Sequence, residues 1–266
     1  MSHYWTITQL TSTDHVLDVL ARIHGKRWLS RGQPKRYDCL LPSIDRDGRA
    51  HVSRTEILQL ERQSIDIFRS TARCFAASSE RGALADDIVS LMVLRHYGVP
   101  TRLVDWSASP YVAAYFAACC YDDDGEIWCF DEPQYEQAGQ KQWEKWPETT
   151  IDGSGEPSKF AAGLTAFTVE EPPDWFICAF YMGFPRQDAQ AGAYTMTARF
   201  GRDHADAIAR LLSDDSLHHL YIVPKAFKPT VHAVLREKHG VWRGSLFPDS
   251  AGAADTARKV FEMKSV

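Results

Sequence analysis

The sequence has little that points to a metal site or to an oxidising compartment. Its six cysteines include no Cys-x-x-Cys pair, and their spacing with the ten histidines matches no zinc motif. Disulfide frameworks are typical of short, cysteine-dense secreted chains, and this chain is neither short nor cysteine-dense. We therefore expect reduced, mostly buried thiols and no bound metal.

A long apolar run, a secretory signal and an excess of positive charge are also missing. The longest uncharged run, from Trp106 to Tyr121, is shorter than the ~20 residues that cross a bilayer. Residues Met1 to Trp5 show no charged start followed by an apolar run. Because the formal net charge is -5, the sequence does not favour a surface for extended duplex DNA. These absences predict a cytoplasmic protein that binds neither a membrane nor duplex DNA.

What the chain does contain is enough apolar material for a packed core. Hydrophobic residues make up 44% and aromatic residues 12% of its 266 positions. Helical and alternating patterns follow one another, so we predict an α+β fold with a mixed sheet flanked by helices, in one domain over residues 1–266. Periodicity is lost over residues 131–173, which we interpret as an inserted, loop-rich segment. The alternative is two domains that divide near this segment.

The densest polar chemistry lies within residues 91–119. A helix with a regular apolar period ends at Gly98, and a second helix begins with Ser109 as N-cap and Pro110 as its first residue. The link over residues 101–106 is too short for a third helix, so we predict a brief strand there.

This link predicts an anion site beside the start of the second helix. We expect Arg102, Asp105, Trp106 and Ser107 to converge there, where backbone N–H groups and the helix dipole favour a phosphate. The alternative is structural, with Arg102 and Asp105 as an ion pair and Trp106 in the core. His96, on the last turn of the first helix, either stabilises that helix end or donates to a phosphate or to Asp105.

A second anion signal is the Arg31-Gly32 pair, which we place at a strand end with a turn at Gly32. Arginine offers a planar fork of donors that matches a phosphate. We expect Arg31 and Arg102 to bind the same anion, although they lie far apart in the sequence.

Three further segments complete the predicted architecture. Residues 53–56 form a capping box that opens a long helix, whose charged residues, Glu61 among them, are expected to be solvated. The apolar run over residues 175–181 predicts a central strand, and residues 241–248 predict a last strand or extended segment.

With these residues laid out, the chain resembles the FRG domain family, which is named for a Phe-Arg-Gly signature. The sequence departs from that signature at Ser30, where the aromatic residue is absent, but it retains Arg31 and Gly32. The resembling pieces extend over most of the chain and are Trp28 to Gln33, Leu41 to Ile44, Arg95 to Trp106, Ser109-Pro110, Ala113 to Ala117, Pro185-Arg186, Gln190 to Gly192 and Leu246 to Asp249.

The order of these pieces is also similar to that of ADP-ribosyltransferases, in which an aromatic-Arg-Gly strand, a Ser-x-Ser segment and a late strand bearing Glu hold NAD. The resemblance implies that Arg31 holds a ribose or phosphate, that Ser107 and Ser109 orient the nicotinamide side, and that Trp106 or Tyr97 stacks on a ring. The cofactor-binding residues predicted in this way are Arg31, Gly32, Gln33, Tyr97, Arg102, Trp106, Ser107, Ser109 and Arg186.

The late strand differs from the ADP-ribosyltransferase pattern because it offers Gln190, and a neutral amide cannot stabilise an oxocarbenium-like ribose as a carboxylate does. Asp105 is then the first candidate acid and Asp188 the second, and the candidate catalytic residues are Asp105, His96 and Gln190. The resemblance implies an NAD-dependent ADP-ribosyltransferase or NAD glycohydrolase-like effector of toxicity or phage defence, acting on an unknown macromolecular acceptor. The alternative is a module that binds a nucleotide, a nucleic-acid end or a partner protein through the same cleft without chemistry.

Overall fold

The structure of the chain is a computed structural model, which describes residues 5–37, 39–46, 52–73, 86–143, 176–179, 185–197, 199–248, 252–254 and 257. The strands are β1 (Thr6–Gln9), β2 (Trp28–Gln33), β3 (Leu103–Ser107), β4 (Gly125–Asp131), β5 (Phe176–Ala179), β6 (Gly192–Thr197) and β7 (His218–Val223). The helices are α1 (Thr13–His24), α2 (Arg54–Ala72), α3 (Asp87–His96), α4 (Pro110–Ala118), α5 (Glu132–Trp143), α6 (Pro185–Ala189), α7 (His204–Leu212), α8 (Lys228–His239) and α9 (Arg243–Leu246).

The seven described strands form one mixed sheet. Their order is β1-β7-β4-β2-β3-β6-β5. The β1–β7 pair is parallel and the other neighbours are antiparallel. This arrangement confirms the predicted α+β class with a mixed sheet flanked by helices. The single-domain interpretation stays a prediction.

Helices cover both faces of this sheet because its central strands are apolar on both sides. On β4, Ile127 and Cys129 pack with α1, α4 and α8. Trp128 and Phe130, which alternate with them, pack with α7 and with Tyr135 of α5. A third cluster joins α2 and α3 to β3 and β6. The helices on each face of the sheet therefore bury one of the two alternating sets of β4 side chains.

The helix boundaries that depend on local chemistry are confirmed. Ser53 accepts a hydrogen bond from the backbone of Glu56 in a capping box at the start of α2. Ser109 caps α4, and Pro110 is its first residue. Gly98 has a φ of +82°, the left-handed conformation that follows many helix ends. These signals are reliable because the groups involved lie within one turn of each other.

Other predictions about the elements are wrong. Gly32 is not in a turn but inside β2, where it pairs with Ile127 of β4. The strand within residues 175–181, β5, lies at the end of the described sheet rather than at its centre. The segment 241–248 contains the short helix α9 instead of a strand. The predicted insertion begins with the regular helix α5, and the rest of it lies outside the described residues.

The structure bears on the expectation about thiols, and two further findings concern metal and membrane. Cys129 is buried, but Cys119 and Cys120 are exposed, so the prediction of mostly buried thiols is wrong for these two. The described part of the chain shows no group of three or more His, Cys, Asp or Glu side chains that could hold a metal ion. None of the described helices combines the length and apolar character that a membrane crossing requires.

Candidate functional site

A cavity of about 330 Å³ lies beside the junction of β2 and β3. These strands share one described pair, Ser30 with Ser107, whereas β2 and β4 pair along the whole length of β2. The lining comes from β2, β3 and β6, from the C-terminal end of α3, from α4 and α6, and from Phe247. This volume is within the range of small-molecule sites.

The charged centre of the cavity is formed by Asp105 and two arginines. Arg95 donates to Asp105 Oδ2 from Nε at 2.9 Å and from Nη2 at 2.5 Å. Arg31 donates through Nη1 to the backbone carbonyl of Asp105 at 2.7 Å and, less closely, to Oδ2 at 3.4 Å. The Asp105 side chain is 39% exposed, whereas those of Arg31 and Arg95 are 13% and 19% exposed. The carboxylate is therefore the accessible member of the group.

The electrostatics keep this centre ionised. Burial alone would raise the pKa of Asp105, but the guanidinium groups of Arg95 and Arg31 hold that pKa below its ordinary value. Burial lowers the pKa of Arg31 to about 10, although Asp105 opposes the shift. The Asp105 carboxylate raises the pKa of Arg95. At neutral pH the cavity thus presents one carboxylate supported by two guanidinium groups.

Another part of the lining combines a third arginine with aromatic rings. Arg186 of α6 donates through Nη1 to the carbonyl oxygen of His96 at 2.6 Å. Its guanidinium carbon lies 4.7 Å from the ring centre of Phe247. Phe116 of α4 is at 6.3 Å from Phe247 in an edge-to-face arrangement. This part of the lining therefore combines positive charge with aromatic surface.

The structure brings together most, but not all, of the residues predicted from the sequence. Those that line the cavity are Arg31, Gly32, His96, Asp105, Trp106, Ser107, Arg186 and Gln190. Gln33, Tyr97, Arg102 and Ser109 lie outside its lining.

The expectation that Arg31 and Arg102 share an anion is wrong. Arg102 is fully buried and pairs with Glu61 of α2, its Nε lying 2.9 Å from Oε1 and its Nη2 bonding Oε2. The Arg102 guanidinium also lies 4.5 Å from the ring centre of Phe200. Glu61, expected on a solvated face, is only 3% exposed. The two arginines differ because Arg102 precedes β3 and points into the α2 packing, whereas Arg31 reaches across to Asp105.

Three more predicted ligand contacts have structural partners instead. Gln33 is buried and donates to Glu126 Oε2 at 2.9 Å. Trp106 is 3% exposed and belongs to the apolar cluster beneath α7, so its ring is a core group. Tyr97 is 63% exposed, and its ring lies 4.8 Å from the His96 ring in a T-shaped arrangement.

The serines and Gln190 hold the walls of the cavity together. Ser107 Oγ donates to the Gln190 carbonyl at 2.6 Å and accepts from the Ser109 amide at 3.0 Å. Ser109 Oγ accepts from the backbone of Val112. The Gln190 side-chain amide donates to the Leu246 carbonyl at 3.0 Å. These bonds tie the start of α4, the end of α6 and α9 to the sheet.

Behind Trp106, a buried histidine makes folding stability depend on pH. Trp106 Nε1 donates to Thr195 Oγ1 at 2.8 Å, and that hydroxyl lies 2.9 Å from Nδ1 of His204. An indole can only donate, so the Thr195 hydrogen is available to a neutral imidazole. Burial, with Arg31 and Arg46 nearby, lowers the pKa of His204 to about 3.

We expect this histidine to cost stability in acid. The unfolded state binds a proton near pH 6.5 and the folded state does not, so stability is complete above about pH 6.5 and falls as the pH drops toward 3. Urea titrations at pH 7 and at about pH 4.5 should show a loss of about 2 kcal/mol from His204. A His204→Asn variant should lack this part of the loss. A variant with the same pH dependence as wild type would contradict the expectation.

Among the lining residues that sequence reasoning did not assign to the site are Arg95, Tyr194 and Phe247. Arg95 carries a usable signal, because it lies on the last turn of α3 and the chain returns through β3 beside that turn. Tyr194 lines the cavity only because β6 pairs with β3, which places it opposite Asp105. Phe247 reaches the cavity through tertiary packing.

Comparison with known proteins agrees with the resemblance seen in the sequence. No curated protein and no solved structure matches this chain. A family model for the FRG domain matches residues 26–126, which include β2, α3, β3 and α4. This match covers Arg31, Arg95 and Asp105, and it does not extend to the resembling pieces from Pro185 onward. Over residues 26–126 the chain is therefore similar to the FRG domain family.

Proposed function

We propose that this chain acts on NAD as an ADP-ribosyltransferase or an NAD glycohydrolase-like effector, with the cavity beside β2 and β3 as its active site. The observation that carries the proposal is Asp105. Among the described residues that line the cavity it is the one acidic side chain, and it is ionised and accessible. A carboxylate fixed in this way stabilises the positive ribose that forms as the nicotinamide bond breaks.

The proposed reaction needs no proton from Asp105. The bond between ribose C1 and the nicotinamide nitrogen breaks, and its electron pair leaves with nicotinamide. Water or an acceptor nucleophile then bonds to C1 and releases one proton. Arg186 and Arg31 supply positive charge for the diphosphate, and Phe247 and Phe116 supply ring faces. Toxicity or phage defence is the biological setting that we propose for this activity.

A second candidate function is a binding module that recognises a nucleotide, a nucleic-acid end or a partner protein without chemistry. Two guanidinium groups share the charge of Asp105. The Gln190 amide and the Ser107 hydroxyl are engaged with backbone carbonyls. In this version the cavity uses its arginines for an anionic group and its rings for stacking.

The two functions can be separated by measuring nicotinamide release and NAD binding on the same protein. For the enzyme, we expect nicotinamide release from NAD, and we expect Asp105→Asn to lower its rate by about 10²–10³ while NAD still binds. The matched control is Asp188→Asn, because Asp188 is exposed on α6 and outside the cavity lining. Saturable binding of NAD or ADP-ribose without nicotinamide release, even with cell lysate added, would favour the module. An Asp105→Asn variant as active as wild type would contradict the enzyme proposal.

A further inference from the structure

Two of the arginine–carboxylate pairs among the described residues, Arg102–Glu61 and Arg95–Asp105, differ in their access to solvent. Arg102 and Glu61 are sealed, with side chains 0% and 3% exposed. Arg95 and Asp105 are 19% and 39% exposed, and both line the cavity. The sealed pair joins α2 to the segment before β3. The open pair instead leaves its carboxylate facing the cavity, where a ligand can reach it.

Arg95 is itself held from behind. Its Nη1 donates to Ser43 Oγ at 3.0 Å, and Ser43 Oγ accepts from the backbone amide of Thr101 at 3.1 Å. Ser43 begins a short 3-10 turn, Ser43–Asp45. The guanidinium thus bridges the turn at one end and Asp105 on β3 at the other. Such a bridge limits the directions in which the carboxylate can point.

We propose that Arg95, supported by Ser43, is a positioning residue that keeps Asp105 ionised and directed into the cavity. This inference rests on the proposed function, in which Asp105 is the carboxylate of the active site. Arg95 holds Oδ2 with two donors at 2.9 and 2.5 Å, whereas the one contact from Arg31 to that oxygen is 3.4 Å long. Arg95 is therefore the main partner and Arg31 the secondary one.

The groups that face Asp105 give the direction of the expected change. Arg31 faces it from β2 and Arg95 from α3, and Tyr194 lies opposite it on β6. His96 and Arg186 line the same cavity, and the α4 wall is apolar. Burial opposes the charge on Asp105, so removing Arg95 leaves one weaker partner against that penalty. The carboxyl should then take up a proton at higher pH.

The first experiment reads this ionisation directly and needs no ligand. We would follow the Asp105 carboxyl carbon by NMR in protein labelled at aspartate, for wild type and Arg95→Gln. Wild type should show no titration of this carbon between pH 8 and 5, and the variant should titrate at least about one pH unit higher than wild type. Arg210→Gln, which removes an exposed pair with Asp206 on α7, is the matched control. An unchanged Asp105 midpoint in Arg95→Gln would overturn the inference.

The second experiment measures nicotinamide release as a function of pH. In Arg95→Gln the acid limb should move to higher pH, so that the rate falls by about tenfold for each pH unit below the new midpoint. Arg95→Lys, which keeps the charge but loses the fork, should move it less, and Ser43→Ala should shift it in the same direction. A loss by the same factor at every pH would show a purely structural role and overturn the inference.

These outcomes separate the inference from the proposed function. If Arg95→Gln does not fold, Arg95→Lys provides the same comparison. A raised Asp105 midpoint in a protein that neither binds nor cleaves NAD would support the role of Arg95 in ionisation and overturn the proposed function. Nicotinamide release with an unchanged Asp105 midpoint in both Arg95 variants would support the proposed function and overturn the role of Arg95 in ionisation.

Discussion

Replacing Gly32 by alanine is expected to prevent stable folding. A Cβ atom at this position would lie 1.8 Å from the carbonyl oxygen of Ala113 and 2.7 Å from the amide nitrogen of Ala117. Both are backbone atoms of α4, so no side-chain rotation can relieve the overlap. Either α4 or β2 must move, and the cavity between them moves as well. We expect a loss of at least about 4 kcal/mol, in the range of exceptional single substitutions.

The matched control for this substitution is Gly25→Ala. Gly25 follows α1 with a φ of -83°, and a Cβ there would meet nothing within 4 Å. This variant should change the free energy of unfolding by no more than about 0.5 kcal/mol. Circular dichroism spectra and thermal melting curves of Gly32→Ala, Gly25→Ala and wild type would provide the comparison. A Gly32→Ala protein that melts like wild type would show that α4 does not approach β2 as closely as the structure indicates.

The second large effect is expected when Glu61 is replaced by glutamine. Arg102 would then keep its charge in a fully buried position without a carboxylate. Removing one member of a buried pair costs about 3–5 kcal/mol because the other charge stays uncompensated. For a chain of this size such a loss lowers the melting temperature by about 10 °C. Nicotinamide release or NAD binding below the melting transition should change little, since Arg102 is outside the cavity lining.

Two comparisons test the reason for this effect. A Glu61→Met/Arg102→Met double variant removes both charges and should be much closer to wild type than Glu61→Gln. Breaking the exposed pair on α7 with Arg210→Gln should have only a small effect, because exposed ion pairs contribute little. If Glu61→Gln is as stable as wild type, the buried pair does not stabilise the packing of α2.

The close approach of α4 also explains the composition of that helix. Ala113, Ala114, Ala117 and Ala118 are all buried, and small side chains let the helix lie against the strands. Gly125 of β4 meets the same helix, since a Cβ there would lie 2.3 Å from the Ala117 carbonyl. The resemblance assigned Gly32 to ligand binding. Its position in the structure gives it a packing role beside the cavity.

The sequence by itself determined the features that depend on neighbours along the chain. Ser53, Ser109 and Gly98 mark helix ends through bonds or dihedral angles within a single turn, so their prediction needed no tertiary information. The strand character of residues 101–106 is equally local. The α+β class followed from these elements, and the Arg-Gly and Arg95–Trp106 segments were enough to suggest the FRG domain.

Only the tertiary structure decided how the charged residues are paired. Arg102 and Asp105 are three positions apart, yet one pairs with Glu61 of α2 and the other with Arg95 of α3 and Arg31 of β2. The order of the strands and the position of α2 select these partners, and neither can be predicted from the sequence pattern around these residues. The same holds for Glu61, which a helical period assigned to solvent. A charged side chain becomes structural or functional according to what packs over it, and that depends on contacts between residues far apart in the chain.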